Sequence, residues 1–329
     1  MNLSMKDKII KRFLEAKDEP ISGQQLADDL GISRTAIWKH LQNLQEEGYE
    51  FITIKKKGYK LIAVPDRVDA AKISSYLKTK RFGHTIHYFE EIDSTQRLAH
   101  QLARDGAKDG TIIIAEEQTG GKGRMQRTWY SAKGKGIWMT VIVRPDLLPH
   151  QAPQLTLIAA VSIVMAMKSL YTNFTPEIKW PNDILINGKK CVGILTEMLA
   201  EMDRVDGLLI GIGINANHEQ TDFPDELQEI ATSVAIEEKQ KVDRAQLVAE
   251  ILSYLERYTD EYIENGFKSI KQLWVEHSCT IGKRIRASTI REVIEGQAIG
   301  ITDEGVLEIL LDNGQIKKVY SADIEIQNQ

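Results

Sequence analysis

Lys179–Glu197, KWPNDILINGKKCVGILTE, reads as a short strand, a turn at Pro181, a second strand, an Asn187-Gly188 hairpin turn and a third strand. The hairpin sets Lys189 and Lys190 at the start of the apolar run Val192–Leu195. A lysine entering a buried strand is costly to desolvate unless an anion or carbonyl meets it, which makes Lys190 a candidate ligand holder; the alternative is a side chain that snorkels to water. Leu208–Asn217, LLIGIGINAN, is a further apolar strand. Its Gly211 and Gly213 leave room for a molecule to lie on the sheet, and Asn215 at its end offers the donor and acceptor that a nucleobase edge requires.

Working outward, Ile112–Ala115 and Ile137–Val143 read as strands, Leu155–Leu170 as a long buried helix and Val242–Tyr262 as a closing amphipathic helix. Together they predict a mixed β-sheet with helices on one side. Upstream lies GGKGRMQRTW, Gly120–Trp129, in which three glycines in four positions are interleaved with and followed by cations at Lys122, Arg124 and Arg127. Glycine lets a backbone turn its N–H groups onto an anion while the cations neutralise charge, so the loop fits a grip on a phosphate ester; a solvated surface turn is the alternative. Neither a Walker loop nor the glycine fingerprint of dinucleotide folds is present.

These pieces, together with EEIDSTQ at Glu90–Gln96, resemble the biotin protein ligase family in content and order, over most of residues 83–270. The resemblance implies a core like that of class II synthetases. It implies that biotin is held by Ser94, Thr95, Gln96, Gln118, the loop backbone around Lys122, Gly123 and Arg124, and Lys190, beside Gly211. Arg124 and Arg127 would face the phosphate, Trp129 would brace the closed loop, and Asn182 and Asn215 would lie on the adenosine side. Arg124, Arg127 and Lys190 are then the catalytic candidates. Three positions depart from the family pattern. Lys122 stands for the first loop arginine, Gln126 for a second glycine, and Gln96 for an asparagine. Lys122 keeps its charge but lacks the bidentate fork, and Gln126 stiffens the loop; both bear on how tightly and how long an intermediate is held.

The implied chemistry is adenylation followed by acyl transfer, with biotin and magnesium-bound ATP as substrates and biotinyl-5'-AMP as intermediate and corepressor. Two anions must first be brought together, so cations at the reacting centre are the main requirement. At about 4 Å and an effective dielectric near 20, each contact is worth roughly 4 kcal/mol gross, of which only the part that grows in the transition state accelerates the reaction. No side-chain nucleophile is needed. Asp183 has three open readings: a base for the acceptor amine, a magnesium ligand, or an Asx turn after Pro181. A lipoyl ligase and a non-catalytic biotin-sensing repressor are the alternatives, the loop pattern opposing the first and the intact cations the second.

The N-terminal segment has a separate logic. Ile9, Ile10, Phe13 and Leu14 mark one amphipathic helix, and Ser22 caps a second carrying Leu26 and Leu30. Gly31-Ile32-Ser33 makes the turn into a third helix from Arg34. That helix buries Ile37, Leu41 and Leu44 and leaves Thr35, Trp38, Lys39 and Gln42 on one outward stripe. LADDLGISRTAIWKHLQNLQEEG thus matches a helix-turn-helix, and EFITIKKKGYKLI a hairpin wing with Lys55, Lys56 and Lys57 at its tip for phosphates. A protein-docking helical module is the alternative. Residues 1–64 hold eleven basic and nine acidic side chains, whereas the whole chain carries −5, so the balance favourable to a polyanion lies here. Fused to such a core, a DNA-binding module matches the bifunctional members of the family, which repress biotin genes and biotinylate the carboxyl carrier protein of acetyl-CoA carboxylase; a basic loop that orders around the adenylate would complete the surface of a homodimer able to span a two-fold operator.

From about Thr280 the pattern changes to short alternating strands, Arg284–Ser288, Val293–Ile301, Leu307–Leu311 and Gln315–Tyr320, with Asp312-Asn313-Gly314 as a hairpin. This predicts a small barrel, similar to the SH3-like cap of the family. The expected organisation is therefore 1–64 winged helix-turn-helix, 65–82 charged connector with a short helix at Asp69–Leu77, 83–275 biotin/ATP domain, and 276–329 cap. Composition agrees with this reading: 42% hydrophobic residues over 329 positions are enough for several cores. A charged N-terminus, no run of 18 apolar residues, and two cysteines without metal spacing point to a cytoplasmic protein with no structural metal and no membrane partner.

Overall fold

The computed structural model describes residues 4–201 and 204–327. Three helices, α1 (Met5–Glu15), α2 (Gly23–Leu30) and α3 (Arg34–Glu46), are followed by an antiparallel hairpin of β1 (Glu50–Ile54) and β2 (Gly58–Ala63). Each helix begins on a serine whose hydroxyl accepts an otherwise orphaned amide: Ser4 from Asp7, Ser22 from Gln25, Ser33 from Ala36. Ile9, Phe13, Leu26, Ile37, Leu41 and Leu44 close a small core of their own.

The connector is not a solvated linker. Helix α4 (Ala70–Tyr76), capped by Asp69, packs against α1, and Val68, Ile73 and Phe82 belong to the main core of the molecule. Tyr49 of the winged module donates its hydroxyl to Asp69 Oδ2 at 2.6 Å. Arg244, fully buried, meets Glu116 Oε2 at 2.8 Å and Asp66 Oδ1 at 3.1 Å and donates to the carbonyls of Asp66 and Gly136. Glu116 also accepts the Val68 amide. This satisfied ionic cluster welds residues 66–68 to the central sheet; removing one partner would strand a buried charge, which costs about 3–5 kcal/mol.

The central sheet has seven strands: β3 (Ile86–Phe89), β4 (Thr111–Ala115), β5 (Gly136–Val143), β6 (Pro176–Lys179), β7 (Asp183–Ile186), β8 (Lys189–Glu201) and β9 (Arg204–Asn215). Their order is β3-β4-β5-β9-β8-β7-β6, with β3 and β4 parallel and every other pair antiparallel. The Asn187-Gly188 turn takes φ 51° and 77°, the left-handed geometry of a tight hairpin. Successive side chains of β4 point to opposite faces, and both faces are covered. Ile112 and Ile114 join the core under α6 (Ala152–Leu170) and α9 (Arg244–Asn265), while Ile113, with Ile142 and Leu209, packs on Ala99 and Ala103 of α5 (Thr95–Arg104). Helices on one side only, as the sequence predicts, is therefore corrected to helices on both. Pro149–Leu170 has the length and mean hydropathy, 1.5, of a membrane span, but its apolar surface is buried against the sheet and α9.

Short helices α7 (Asp225–Gln228) and α8 (Val234–Glu238) precede α9, and α10 (Lys268–Glu276) leads to the C-terminal cap. The cap is a five-stranded antiparallel sheet of β10 (Arg284–Ser288), β11 (Val293–Ile301), β12 (Leu307–Leu310), β13 (Ile316–Val319) and β14 (Asp323–Ile326), in the order β13-β12-β11-β10-β14. Neither α10 nor β14 has a signal that sequence reading identified.

Candidate active site and DNA-facing surface

A cavity of about 400 Å³ opens on the central sheet. Its walls include every cavity residue nominated from sequence: Ser94, Thr95, Gln96, Gln118, Lys122, Gly123, Arg124, Arg127, Trp129, Asn182, Lys190, Gly211 and Asn215. Strand register sets their spacing. Lys190 lies at the start of β8, Gly193 pairs with Gly213 three residues on, and Leu195 pairs with Gly211, itself opposite Thr140 on β5. At about 3.3 Å per residue, Lys190 and the Gly211 level are separated by roughly 16 Å. The cavity thus has a cationic end and a neutral, hydrogen-bonding end.

Trp129 covers the middle. A Cβ at Gly193 or Gly213 would lie 2.8 or 2.5 Å from its ring, so the two glycines seat this indole. Sequence reading assigned the room at Gly213 to a ligand and missed Gly193. The Trp129 N–H is buried with no acceptor among the described residues, leaving a donor in reserve inside the cavity. Lys190 Nζ stands 5.2 Å from the ring centroid and 2.8 Å from Asp183 Oδ1. Its side chain is 37% exposed, and the anion that meets it in the protein alone is Asp183.

The loop arginines are tied to the cap. Arg124 Nη1 donates to Asn182 Oδ1 at 3.0 Å and Nη2 to Ser321 Oγ at 2.7 Å, while Arg127 is paired with Asp323. Burial lowers the Arg124 pKa from its ordinary value, with Asp323 and Asp183 opposing that shift. Met125 and Gln126 between the arginines have φ of 54° and 61°. A side chain in this left-handed region costs about 1 kcal/mol, which is why a glycine is natural where Gln126 stands.

At the neutral end Ser94 caps α5, accepting the Arg97 amide, and Gln118 Oε1 accepts both Thr95 N and Thr95 Oγ1. Asn215 is buried and donates to Thr232 O, so its amide is already engaged. Phe223, Leu227 and Ile230 form an apolar wall, and Thr140 and Asp323 also line the cavity. Sequence reading missed all of these. The FPDEL run, Phe223–Leu227, was the one local cue, an apolar pair bracketing a helix start. Asp183 and Asp323 are the lining carboxylates, and among the described residues no three His, Cys, Asp or Glu side chains cluster as a metal cage.

On the N-terminal module Thr35, Trp38, Lys39 and Gln42 are exposed along α3, Trp38 by 52%, and Arg34 is exposed beside them. Lys55, Lys56 and Lys57 form the exposed tip of the β1–β2 hairpin. Ser33 is exposed too, but its hydroxyl is used as the cap of α3.

Family models match in three places: the biotin/lipoate A/B protein ligase family at residues 88–215, an HTH domain at 6–60, and the biotin protein ligase C-terminal domain at 280–326. Across 326 residues the chain is 47% identical to the bifunctional ligase/repressor BirA of Bacillus subtilis (strain 168), covering 99% of this chain and 100% of that one. The protein of the same name from Escherichia coli (strain K12) is 28% identical over 96% of this chain and 95% of its own length. A biotin protein ligase from Aquifex aeolicus, solved in complex with biotin and ATP, superposes with a TM-score of 0.64 at 27% identity, covering 75% of this chain and all of that one. With a ligase cavity, a winged DNA-facing module and full-length likeness to proteins that unite the two, the chain belongs to the bifunctional ligase/repressor branch of the biotin/lipoate A/B protein ligase family.

Proposed function

We propose that the chain joins biotin to AMP at the expense of ATP, transfers the biotinyl group to a lysine of the biotin carboxyl carrier protein, and represses biotin genes when the adenylate is bound. The carrying observation is the two-ended cavity: Lys190, Arg124 and Arg127 toward one end, Thr95, Thr140 and Gln118 toward the other. Cations suit the reaction of a carboxylate with a triphosphate; the neutral end suits an uncharged polar ring.

In the first step the biotin carboxylate oxygen attacks the α-phosphorus and pyrophosphate leaves. Lys190 and Arg124 lower the repulsion between the two anions, and Arg127 neutralises charge on the phosphate. In the second step the acceptor amine attacks the acyl carbon, AMP departs with the bonding electrons, and the amine gives up a proton. Asp183, 2.8 Å from Lys190, is a cavity carboxylate suited to accept it. Magnesium is commonly held by one or two carboxylates plus substrate phosphates, a demand Asp183 and the triphosphate can meet together. Trp129 over the sheet, with the loop above it, keeps water from the mixed anhydride.

The division of labour we assign is DNA reading to residues 1–64, catalysis to 83–275 and capping of the loop to 276–329, with 65–82 as a structural joint. Biotin-dependent exchange of pyrophosphate into ATP tests the first step; a purified protein that never catalyses it would overturn the ligase reading. Repression is read as adenylate-linked dimerisation, two winged modules spanning a two-fold operator. Sedimentation with biotin, with ATP and with both tests this, equal dimerisation in all three being the adverse result.

A further inference from the structure

At the neutral end, Thr95 and Thr140 are 3% and 0% exposed and their hydroxyl oxygens lie 2.9 Å apart. The Gln96 carboxamide connects them to the outside. Its Oε1 accepts from Thr140 Oγ1 at 3.1 Å, and its Nε2 donates to Glu197 Oε2 at 3.0 Å and to Leu209 O at 3.3 Å. Glu197 is met in turn by His100 Nε2 at 2.6 Å.

The two ends of a carboxamide match in shape and differ in polarity. A carboxylate and a main-chain carbonyl both only accept, so Glu197 and Leu209 O require the nitrogen of Gln96 on their side and leave its oxygen facing Thr140. Thr140 has one hydroxyl proton, which that oxygen takes. The Thr95 proton stays inside the network as well, with Gln118 Oε1 at 3.0 Å and Thr140 at 2.9 Å as its acceptors. What Thr95 has left to offer the cavity is an oxygen lone pair. Gly211 belongs to the same arrangement, because a Cβ there would lie 2.7 Å from Gln96 Oε1.

We propose that Glu197 is a positioning residue for the cyclic urea of the substrate: through Gln96 and Thr140 it holds the Thr95 oxygen as an acceptor, selecting a ring that carries N–H donors over one that carries none. This rests on the ligase reading above. With the cations taking the carboxylate, the ring falls to the neutral end, where a urea N–H satisfies Thr95. The dithiolane of lipoate has no N–H and leaves that oxygen buried and unmatched, the kind of mismatch by which polar sites discriminate strongly.

The test is steady-state kinetics of the full-length protein with biotin and ATP varied separately. Glu197→Ala raises the KM for biotin about tenfold, with kcat and the KM for ATP within about twofold of the parent, and narrows the preference for biotin over lipoate. Glu197→Gln, whose carbonyl still accepts the Gln96 N–H, restores most of the loss. Thr140→Val, an isosteric break in the same relay, reproduces the biotin-specific rise and decides the matter should Glu197→Ala not fold. An unchanged biotin KM, a parallel rise for ATP, or no advantage of Gln over Ala overturns the proposal. A parent protein unable to use biotin at all overturns instead the ligase reading on which it stands.

Discussion

The outward face of α3 and the cavity on the central sheet prepare for their ligands in opposite ways. Thr35, Trp38, Lys39 and Gln42 stand in solvent with no side-chain hydrogen bond or ion pair among the described residues, so binding there adds contacts. In the cavity Arg124, Arg127 and Lys190 already hold Asn182 and Ser321, Asp323, and Asp183. Binding there exchanges one partner for another. A displayed surface gains affinity mainly from the charge it brings, whereas an internally paired site is selective because a ligand must outbid the chain's own groups.

The sharpest way to break the contrast is Arg124→Ala. Biotin-dependent pyrophosphate exchange is expected to fall by about 10²–10³ with thermal unfolding unchanged, the usual loss of one transition-state donor. Normal turnover together with normal retention of the adenylate would remove the phosphate role. On the displayed surface, Trp38→Ala or neutralisation of Lys55, Lys56 and Lys57 weakens operator binding and leaves exchange intact. Each wing lysine that meets a phosphate takes about one unit from the slope of log affinity against log salt. An unaltered slope in a gel-shift titration would assign the wing elsewhere. Lys190→Ala is smaller, raising the KM for biotin roughly tenfold, as expected for the loss of a charged hydrogen bond. If ATP binding weakened instead, the cationic end would be serving the nucleotide alone.

The smallest effect concerns stability. His218 is fully buried, stacked on Phe223 at 4.9 Å, with neither ring nitrogen hydrogen-bonded among the described residues. Burial pushes its pKa from 6.5 down to about 4. Between those values the unfolded chain takes up a proton that the folded chain refuses, so stability falls as the pH drops through this window, and no further below it. The slope is about 1.4 kcal/mol per pH unit at most. His218→Phe should flatten that part of a denaturation-against-pH profile, and an unflattened profile would place the acid sensitivity in other groups.

Local patterns made much of this molecule legible. Ile37, Leu41 and Leu44 recur at helical spacing, and each is buried. The Asn187-Gly188 turn fixes its hairpin, and the glycine-basic loop announces charge. What stayed hidden depends on partners far apart along the chain. Nothing near Arg127 points to Asp323, almost two hundred residues on, and nothing near Arg244 points to Glu116 or Asp66. The identity of the anion beside Lys190 was hidden for the same reason, since the register that brings Asp183 near it is a property of the folded sheet. Even α5 on the second face of the sheet was obscured, because β4 carries three isoleucines in succession, Ile112–Ile114, with no alternation to reveal two covered sides.

The tryptophans have an optical consequence. Trp138, Trp180 and Trp274 are sealed in the core, while Trp38 projects from α3 and Trp129 lies across Gly193 and Gly213. The protein therefore contains two environment-sensitive fluorophores, one for each of its tasks, over a background from the other three, of which Trp138 meets Trp129 edge-on at 6.5 Å and reports with it. Emission spectra of Trp38→Phe and Trp129→Phe variants would separate the two channels, so that nucleic acid arriving at one end and vitamin arriving at the other could be timed in a single stopped-flow experiment without any added dye.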